Sequence, residues 1–254
     1  MVGERGLAVY FFCLQGAAMQ AQASEAQALI AAARELGVAL SQAQVVQLLQ
    51  LLDELTHWSR AYNLTAIHER EAMVRAHLLD SLAALTDLAG NRILDVGTGA
   101  GFPGLPLAIA APERQFTLVD AVAKKIRFVT HACRQLRLTN VQAVHARVQS
   151  LAPTAPFDTI LARAYAGLPG LLADVQTLVV PGTRVVALKG VYPHKELARL
   201  PAGWRLEQVR SPKIPGLAAE RHILHLVPAA DARCSEAQVV SAHAPVVPPR
   251  QRLD

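Results

Sequence analysis

The run Leu94-Asp95-Val96-Gly97-Thr98-Gly99-Ala100-Gly101-Phe102-Pro103-Gly104 carries the clearest chemistry in this sequence. Its alternating glycines let a backbone turn tightly and approach a ligand with no side chain between them. A strand-like apolar run precedes the glycines and a helical run follows. Pro103 suits the first helical turn, where its missing N–H costs nothing. In open α/β sheets such a loop falls at the carboxyl ends of the strands, where ligands bind. The spacing is GxGxG, and Phe102 stands where the dinucleotide fingerprint has its third glycine. A dinucleotide fold sets a pyrophosphate on the helix N-terminus. Here the acidic Asp95 in the preceding strand suits a ligand with a cationic end instead.

Further residues have types and positions that could serve a site. Asp120 closes the second strand-like run, ~20 residues past the glycines, where a carboxylate can accept both hydroxyls of a ribose. That supports a nucleoside cofactor without choosing which; the alternative is that Asp120 caps the next helix. Arg163 ends the fourth strand and could meet a carboxylate or a phosphate, or be a plain surface arginine. Lys189 ends the fifth strand and could meet a phosphate or the O6 edge of a guanine, or be a solvated strand end. Arg221 and His222 open the last strand, and His222 fits a structural histidine as well as a substrate contact. Lys124, Lys125, Arg127, Arg134 and Arg137 make one helix basic. Lys124 and Lys125 fall near its start, where RNA contact and a solvated face are both open. Asn63 and Thr65 suit helix capping. His77 and Asp80, three apart on one helical face, could join the N-terminal helices to the sheet. Cys133 reads as core.

The elements that must position these residues follow from periodicity. Ser24 with Gln27, and Ser41 with Gln44, fit the capping box, each before a helical stretch. Val45, Leu48, Leu49, Leu52, Leu55 and Trp58 recur at helical spacing. A third helix is predicted from Glu69 to Leu85. From Gly90-Asn91 onward, short apolar runs alternate with helical ones. Strands are predicted at Ile93–Val96, Phe116–Asp120, Val141–His145, Phe157–Ala162, Arg184–Leu188, Trp204–Val209 and His222–Val227. Helices are predicted from Val122 to Arg137 and from Leu168 to Leu178. Alternation of this kind implies a mostly parallel sheet with helices on both faces. The expected organisation is an N-terminal extension without fixed structure (1–23), a helical cap (24–89), a sheet domain (90–228) and a Pro-rich disordered tail (229–254).

Composition narrows the class. Of 254 residues 52% are hydrophobic, enough for a buried core. A net charge of +5 leans towards a polyanionic partner. The three cysteines, Cys13, Cys133 and Cys234, are scattered and unpaired in spacing, and no His or Cys pattern suits a metal. These features point to a reducing, cytoplasmic setting without a metal, and no apolar run reaches membrane-spanning length. Met19 is a plausible start, with the short apolar run Gly6–Leu14 before it as the weaker reading of a signal peptide.

The ordered blocks Tyr62-Asn63-Leu64-Thr65-Ala66-Ile67, His77-Leu78-Leu79-Asp80-Ser81-Leu82, the glycine run, Ala162-Arg163-Ala164, Ala187-Leu188-Lys189-Gly190 and Glu220-Arg221-His222 resemble the bacterial 16S rRNA guanine-N7 methyltransferase family (RsmG, glucose-inhibited division protein B). The resemblance covers Leu48 to Val227. It implies a class I S-adenosylmethionine-dependent methyltransferase fold, Rossmann-like, with a mostly parallel seven-stranded sheet. It implies transfer to N7 of a guanine in the 530 loop (guanine 527 in conventional rRNA numbering), within the small ribosomal subunit; a monomer is expected because nothing in the sequence demands a dimer. The family's cofactor contacts carry over to Gly97, Phe102, Val148, Gln149 and Arg163, with Asp95, Gly99, Gly101 and Asp120 completing the expected cofactor set. Expected RNA contacts are Lys124, Lys125, Arg163, Lys189 and Arg221. Arg163, Lys189 and His222 are the candidates for a catalytic role. The family commonly has Glu where this chain has Gln149, whose carbonyl still accepts a hydrogen bond from an adenine amino group. Ala162-Arg163-Ala164-Tyr165 replaces the Asn/Asp-Pro-Pro-aromatic motif of amino-nitrogen methyltransferases. Open alternatives are a methyltransferase acting on another RNA, a protein or a small molecule, and a non-catalytic nucleotide-binding protein.

Overall fold

The computed structural model describes residue 20 and residues 22–229. The expectations for Met19 as a start, for the signal-peptide reading and for the tail beyond 229 lie outside the described residues. The chain opens with helix α1 (22–35), then α2 (Gln42–Tyr62). Helix α3 (Arg70–Met73) runs through a π-helical stretch, Val74–Leu79, into α4 (Asp80–Leu82). The sheet follows: β1 (Arg92–Val96), α5 (Gly104–Ala110), β2 (Gln115–Asp120), α6 (Ala123–Gln135), β3 (Val141–His145), β4 (Thr159–Arg163), α7 (Leu168–Val175), β5 (Arg184–Lys189), α8 (His194–Leu197), β6 (Trp204–Arg210) and β7 (His222–Pro228).

The seven strands run in the order β3-β2-β1-β4-β5-β7-β6. The first five are parallel, and β7 pairs antiparallel with both β5 and β6. This is the mostly parallel seven-stranded sheet that the resemblance implied. Chain order reverses between β1 and β4, which opens a crevice at their carboxyl ends. Strand alternation sends Ile93 into an apolar cluster shared with α2, α5 and α6, and Leu94 and Val96 into a second cluster shared with α7. The N-terminal helices therefore share one core with a face of the sheet. Asp95 points to that same face.

Local chemistry explains most boundaries. Ser41 and Gln44 form the expected capping box, and Gln44 also donates to the carbonyls of Ile109 and Ala110, tying α2 to the end of α5. Asn63 closes α2 in a left-handed conformation, its N–H on the Ser59 carbonyl. The capping box expected at Ser24 is not there: the helix already runs at 22, through good helix formers such as Gln22 and Ala23. Pro103 lies one residue outside α5, where its carbonyl accepts the first helical bond from Leu107. The predicted 69–85 helix is broken in character, because the Asp80 N–H reaches back to Arg75 rather than Ala76. Such π-type turns recur at functional sites. Buried Asp87 anchors the segment before β1 by accepting from His225 at 2.7 Å and from both Arg210 Nε and Nη2.

Candidate active site

The glycine loop leaves β1 with Gly97, Gly99 and Gly101 at φ 65°, 61° and 85°. Side chains rarely adopt these values, so the spacing is a backbone requirement. Thr98 N–H bonds to the Val119 carbonyl, and Gly99 N–H donates to Asp120 Oδ2 at 3.0 Å. Asp120 also accepts from Val122 N–H at 2.8 Å and from Lys125 Nζ at 3.4 Å. It thus joins the loop to the residue before α6, whose N-cap is Val122 and carries no side-chain cap, so the helix-capping alternative is not met. A carboxylate offers about four lone-pair sites. Binding both ribose hydroxyls would require the long Lys125 contact to give way.

Asp95 is 1% exposed. Its Oδ2 accepts from Thr98 Oγ1 at 2.6 Å and Gly104 N at 2.9 Å, so it clamps the loop onto α5. Burial pushes its carboxyl up to about 6, while Thr98, the Gly104 N–H and Arg163 restrain the rise. Its Oδ1 is buried with no partner. An orphaned carboxylate oxygen is costly, and a donor or cationic group would relieve it. A Cβ built on Gly99 would meet nothing within 4 Å, whereas one on Gly97 would lie 2.5 Å from the Tyr165 ring. The loop is therefore roofed at Gly97 and open at Gly99. These features fit a nucleoside ligand with a cationic end.

Beyond the loop, Val148 opens a short 3-10 turn and is buried in the second core cluster. Gln149 beside it is exposed, and its Nε2 donates to Asp174 Oδ1 at 2.6 Å. The other Asp174 oxygen accepts from Tyr165 Oη at 2.8 Å. Because a carboxylate can only accept, the Gln149 amide must face Asp174 with its nitrogen, which leaves its carbonyl oxygen for a ligand. Burial pushes the Tyr165 hydroxyl up to about 12, helped by the Asp174 hydrogen bond and charge.

A cavity of about 430 Å³ adjoins the loop at the ends of β4 and β5, and Arg163, Lys189, Arg221 and His222 line it with His77 and Asp80. Lys189 and His222 are register partners across β5 and β7, which sets both at one edge. Arg163 Nη1 donates to Asp80 Oδ2 at 3.2 Å and to the Ala76 carbonyl, with its guanidinium 5.8 Å from the Phe102 ring centre. Arg221 Nε donates to Asp80 Oδ1 at 2.6 Å. His77 stacks on Phe102 at 4.9 Å and pairs with Thr65 Oγ1 at 2.9 Å. Burial, with the Arg163 charge, lowers its pKa to about 4, so the ring is neutral.

Of the expected residues, Arg163, Lys189, Arg221 and His222 line this cavity, while the glycine loop, Asp120, Val148, Gln149, Lys124 and Lys125 lie outside its lining. Phe102 is buried beneath His77, so its ring is a wall of the loop rather than an open surface. Arg163 and Arg221 are both committed to Asp80. Lys189 pairs with Glu196 at 2.9 Å, and Glu196 also accepts from Leu168 N–H. Burial raises the Glu196 pKa, but the Lys189 hydrogen bond, the Leu168 N–H and the Lys189 charge outweigh it and leave the pKa lowered. Both ring nitrogens of His222 have partners, Ser211 Oγ and Glu220 Oε2, as a structural histidine's would. Lys124 reaches the Tyr62 carbonyl at the end of α2. Asp174 and Glu196 have no local signal in the sequence; each meets its partners only through tertiary contact. Burial pushes the Cys133 thiol up to about 11, in keeping with its packing against the core. Among the described residues, no three His, Cys, Asp or Glu side chains gather as a metal would need, and no helix is long and apolar enough to cross a membrane.

A family model described as "rRNA small subunit methyltransferase G" matches residues 44–224. A protein of Idiomarina loihiensis named ribosomal RNA small subunit methyltransferase G is 44% identical over 185 residues, covering 73% of this chain and 90% of the relative. Proteins of that name from Ectopseudomonas mendocina and Pseudomonas paraeruginosa are 44% and 45% identical over 203 and 202 residues, covering 79% of this chain and 95% and 94% of theirs. With the family model matching most of the chain and relatives this similar along nearly their whole length, the chain belongs to the rRNA small subunit methyltransferase G family.

Proposed function

We propose that this protein transfers the methyl group of S-adenosylmethionine to N7 of a guanine in 16S rRNA within the small ribosomal subunit. The observation that carries the cofactor assignment is the open backbone at Gly99 between the orphaned Asp95 oxygen and the Asp120 carboxylate. When bound, S-adenosylmethionine supplies an electrophilic methyl on a sulfonium. The residues that would hold it are Asp95, the loop from Gly97 to Gly101, Asp120, Val148 and Gln149, with the Gln149 carbonyl available to an adenine amino group.

Guanine N7 has an in-plane lone pair and no proton. A bond from N7 to the methyl carbon forms as the bond from carbon to sulfur breaks, and the positive charge passes from sulfur to the base. No proton is abstracted, so no general base is needed and alignment carries the rate. In the cavity both ring nitrogens of His222 have partners and Arg163 is held by Asp80. On this reading the protein works in the cytoplasm, where small subunits are assembled.

The test is methyl transfer from labelled S-adenosylmethionine to small subunits lacking the modification, followed by mapping of the labelled base. Label at one 16S guanine, at N7, is the expected result. Label found only on protein or small molecules overturns the RNA assignment.

A further inference from the structure

Along α6, Lys124, Arg127, His131 and Arg134 follow at intervals of three, four and three residues, which stacks them on one face. The stripe spans about 15 Å at the helical rise of 1.5 Å per residue. It borders a groove of about 530 Å³ between α2 and α6, whose lining includes Trp58, Arg127, His131, Arg134 and His145 and no carboxylate. The volume lies in the range of small-ligand sites, roughly 300–1,000 Å³. Arg70, Arg75, Arg163, Arg184, Arg210 and Arg221 each meet a carboxylate. Among the described residues, neither Arg127 nor Arg134 does, and both are exposed. Glu54 on α2 pairs with His131 of the stripe at 2.7 Å.

One large aromatic ring, Trp58, lines the groove. Trp58 stacks on Tyr62 at 5.3 Å and contacts His131 at 4.9 Å, and the Arg127 guanidinium lies 5.8 Å from the Tyr62 ring centre. Cationic groups that track a backbone, beside rings on which bases can stack, are the general pattern for single-stranded nucleic acid. Lys124 holds the Tyr62 carbonyl, Thr65 holds His77, and Ile67 lines the substrate cavity. The segment from Tyr62 to Ile67 connects the end of α2 with the lining of the substrate cavity.

We infer that the α2–α6 groove, with Arg127 and Arg134 on one side and Trp58 on the other, is a second RNA-binding surface that grips a single-stranded stretch of the substrate away from the methylated base. The inference rests on the proposed RNA substrate. Arg127 and Arg134 meet phosphates, and Trp58 packs against a base or ribose. The surface adds affinity and register and takes no part in the methyl transfer.

The test pairs the full chain with an R127A/R134A variant and small-subunit RNA. The variant should bind the RNA at least tenfold more weakly. Because it neutralises two fewer phosphates, the salt dependence of binding should become shallower by about 1.4, at ~0.7 per single-strand phosphate. KM for RNA should rise, while kcat at saturating RNA and calorimetric binding of S-adenosylhomocysteine stay at the parent values. In a Trp204→Phe background, RNA should quench the fluorescence of Trp58. Unchanged RNA affinity and salt slope in a variant whose parent methylates RNA overturns the groove assignment. So does quenching of Trp58 by polyglutamate but not by RNA. A parent protein that neither binds nor methylates RNA would defeat the proposed function itself, which is a different result.

Discussion

Gln149 and Asp174 are joined by a 2.6 Å hydrogen bond that turns the Gln149 amide nitrogen inward and its carbonyl outward. A glutamate at 149 would set two carboxylates against each other. Gln149→Glu should therefore weaken cofactor binding about tenfold at neutral pH, roughly 1.4 kcal/mol. Gln149→Glu with Asp174→Asn restores a donor–acceptor pair and should recover most of the loss. Calorimetry with S-adenosylhomocysteine reads both. A Gln149→Glu protein that binds as well as the parent would show that this pair does not orient the site.

Gly97 and Gly99 share a left-handed backbone but face different surroundings. An alanine at either should cost about 1–2 kcal/mol in backbone strain. Gly97→Ala must also displace the Tyr165 ring, while Gly99→Ala puts a methyl into open space beside Asp120. We expect Gly99→Ala to lose cofactor affinity out of proportion to its thermal destabilisation. Gly97→Ala should be the less stable protein. Thermal denaturation alongside calorimetry separates the two effects, and matched losses in both variants would contradict the prediction.

Asp80 is buried between Arg163 and Arg221. Asp80→Asn keeps the shape but removes the charge that both guanidiniums share. Orphaning partners of a buried ion pair costs about 3–5 kcal/mol, and some solvent at the arginines argues for the low end, ~3 kcal/mol. Urea unfolding should show this as a lower midpoint with an unchanged slope. A loss below ~1 kcal/mol would mean that the arginines find other partners.

His77 and Asp95 titrate against each other in their effect on stability. The lowered His77 pKa favours the fold above 6.5, and that contribution is lost as the pH falls from 6.5 towards 4. The raised Asp95 pKa acts the other way: its contribution is present below 3.8 and lost as the pH rises through about 6. His77→Phe keeps a ring against Phe102 and removes only the first effect. Its Tm relative to the parent should climb as the pH is lowered from 7 to 4. Parallel Tm curves would show that His77 is not held neutral by the fold.

The sheet, the glycine loop and the capping of α2 were legible in the residues themselves. Strand alternation at Ile93 and Leu94, the glycine spacing and the Ser41–Gln44 box are signals between neighbours, which periodicity and turn chemistry read directly. Where local signals compete, legibility ends. Ser24 has the residues of a cap but lies inside a helix that already runs at 22, and the regular spacing of 69–85 conceals a π-type stretch.

The sequence by itself determined which backbone bends to receive a ligand and which strands end around it. Only the tertiary structure decided which charges there are free. Arg221 meets Asp80 across 141 positions, Arg163 meets it across 83, and Gln149 finds Asp174 across 25. No local pattern encodes such pairs, because each depends on where the folded sheet brings two distant side chains. Arg163, Arg221, Lys189 and His222, open candidates in the sequence, are thereby held in fixed partnerships, whereas Arg127 and Arg134 on α6 remain available to a polyanion.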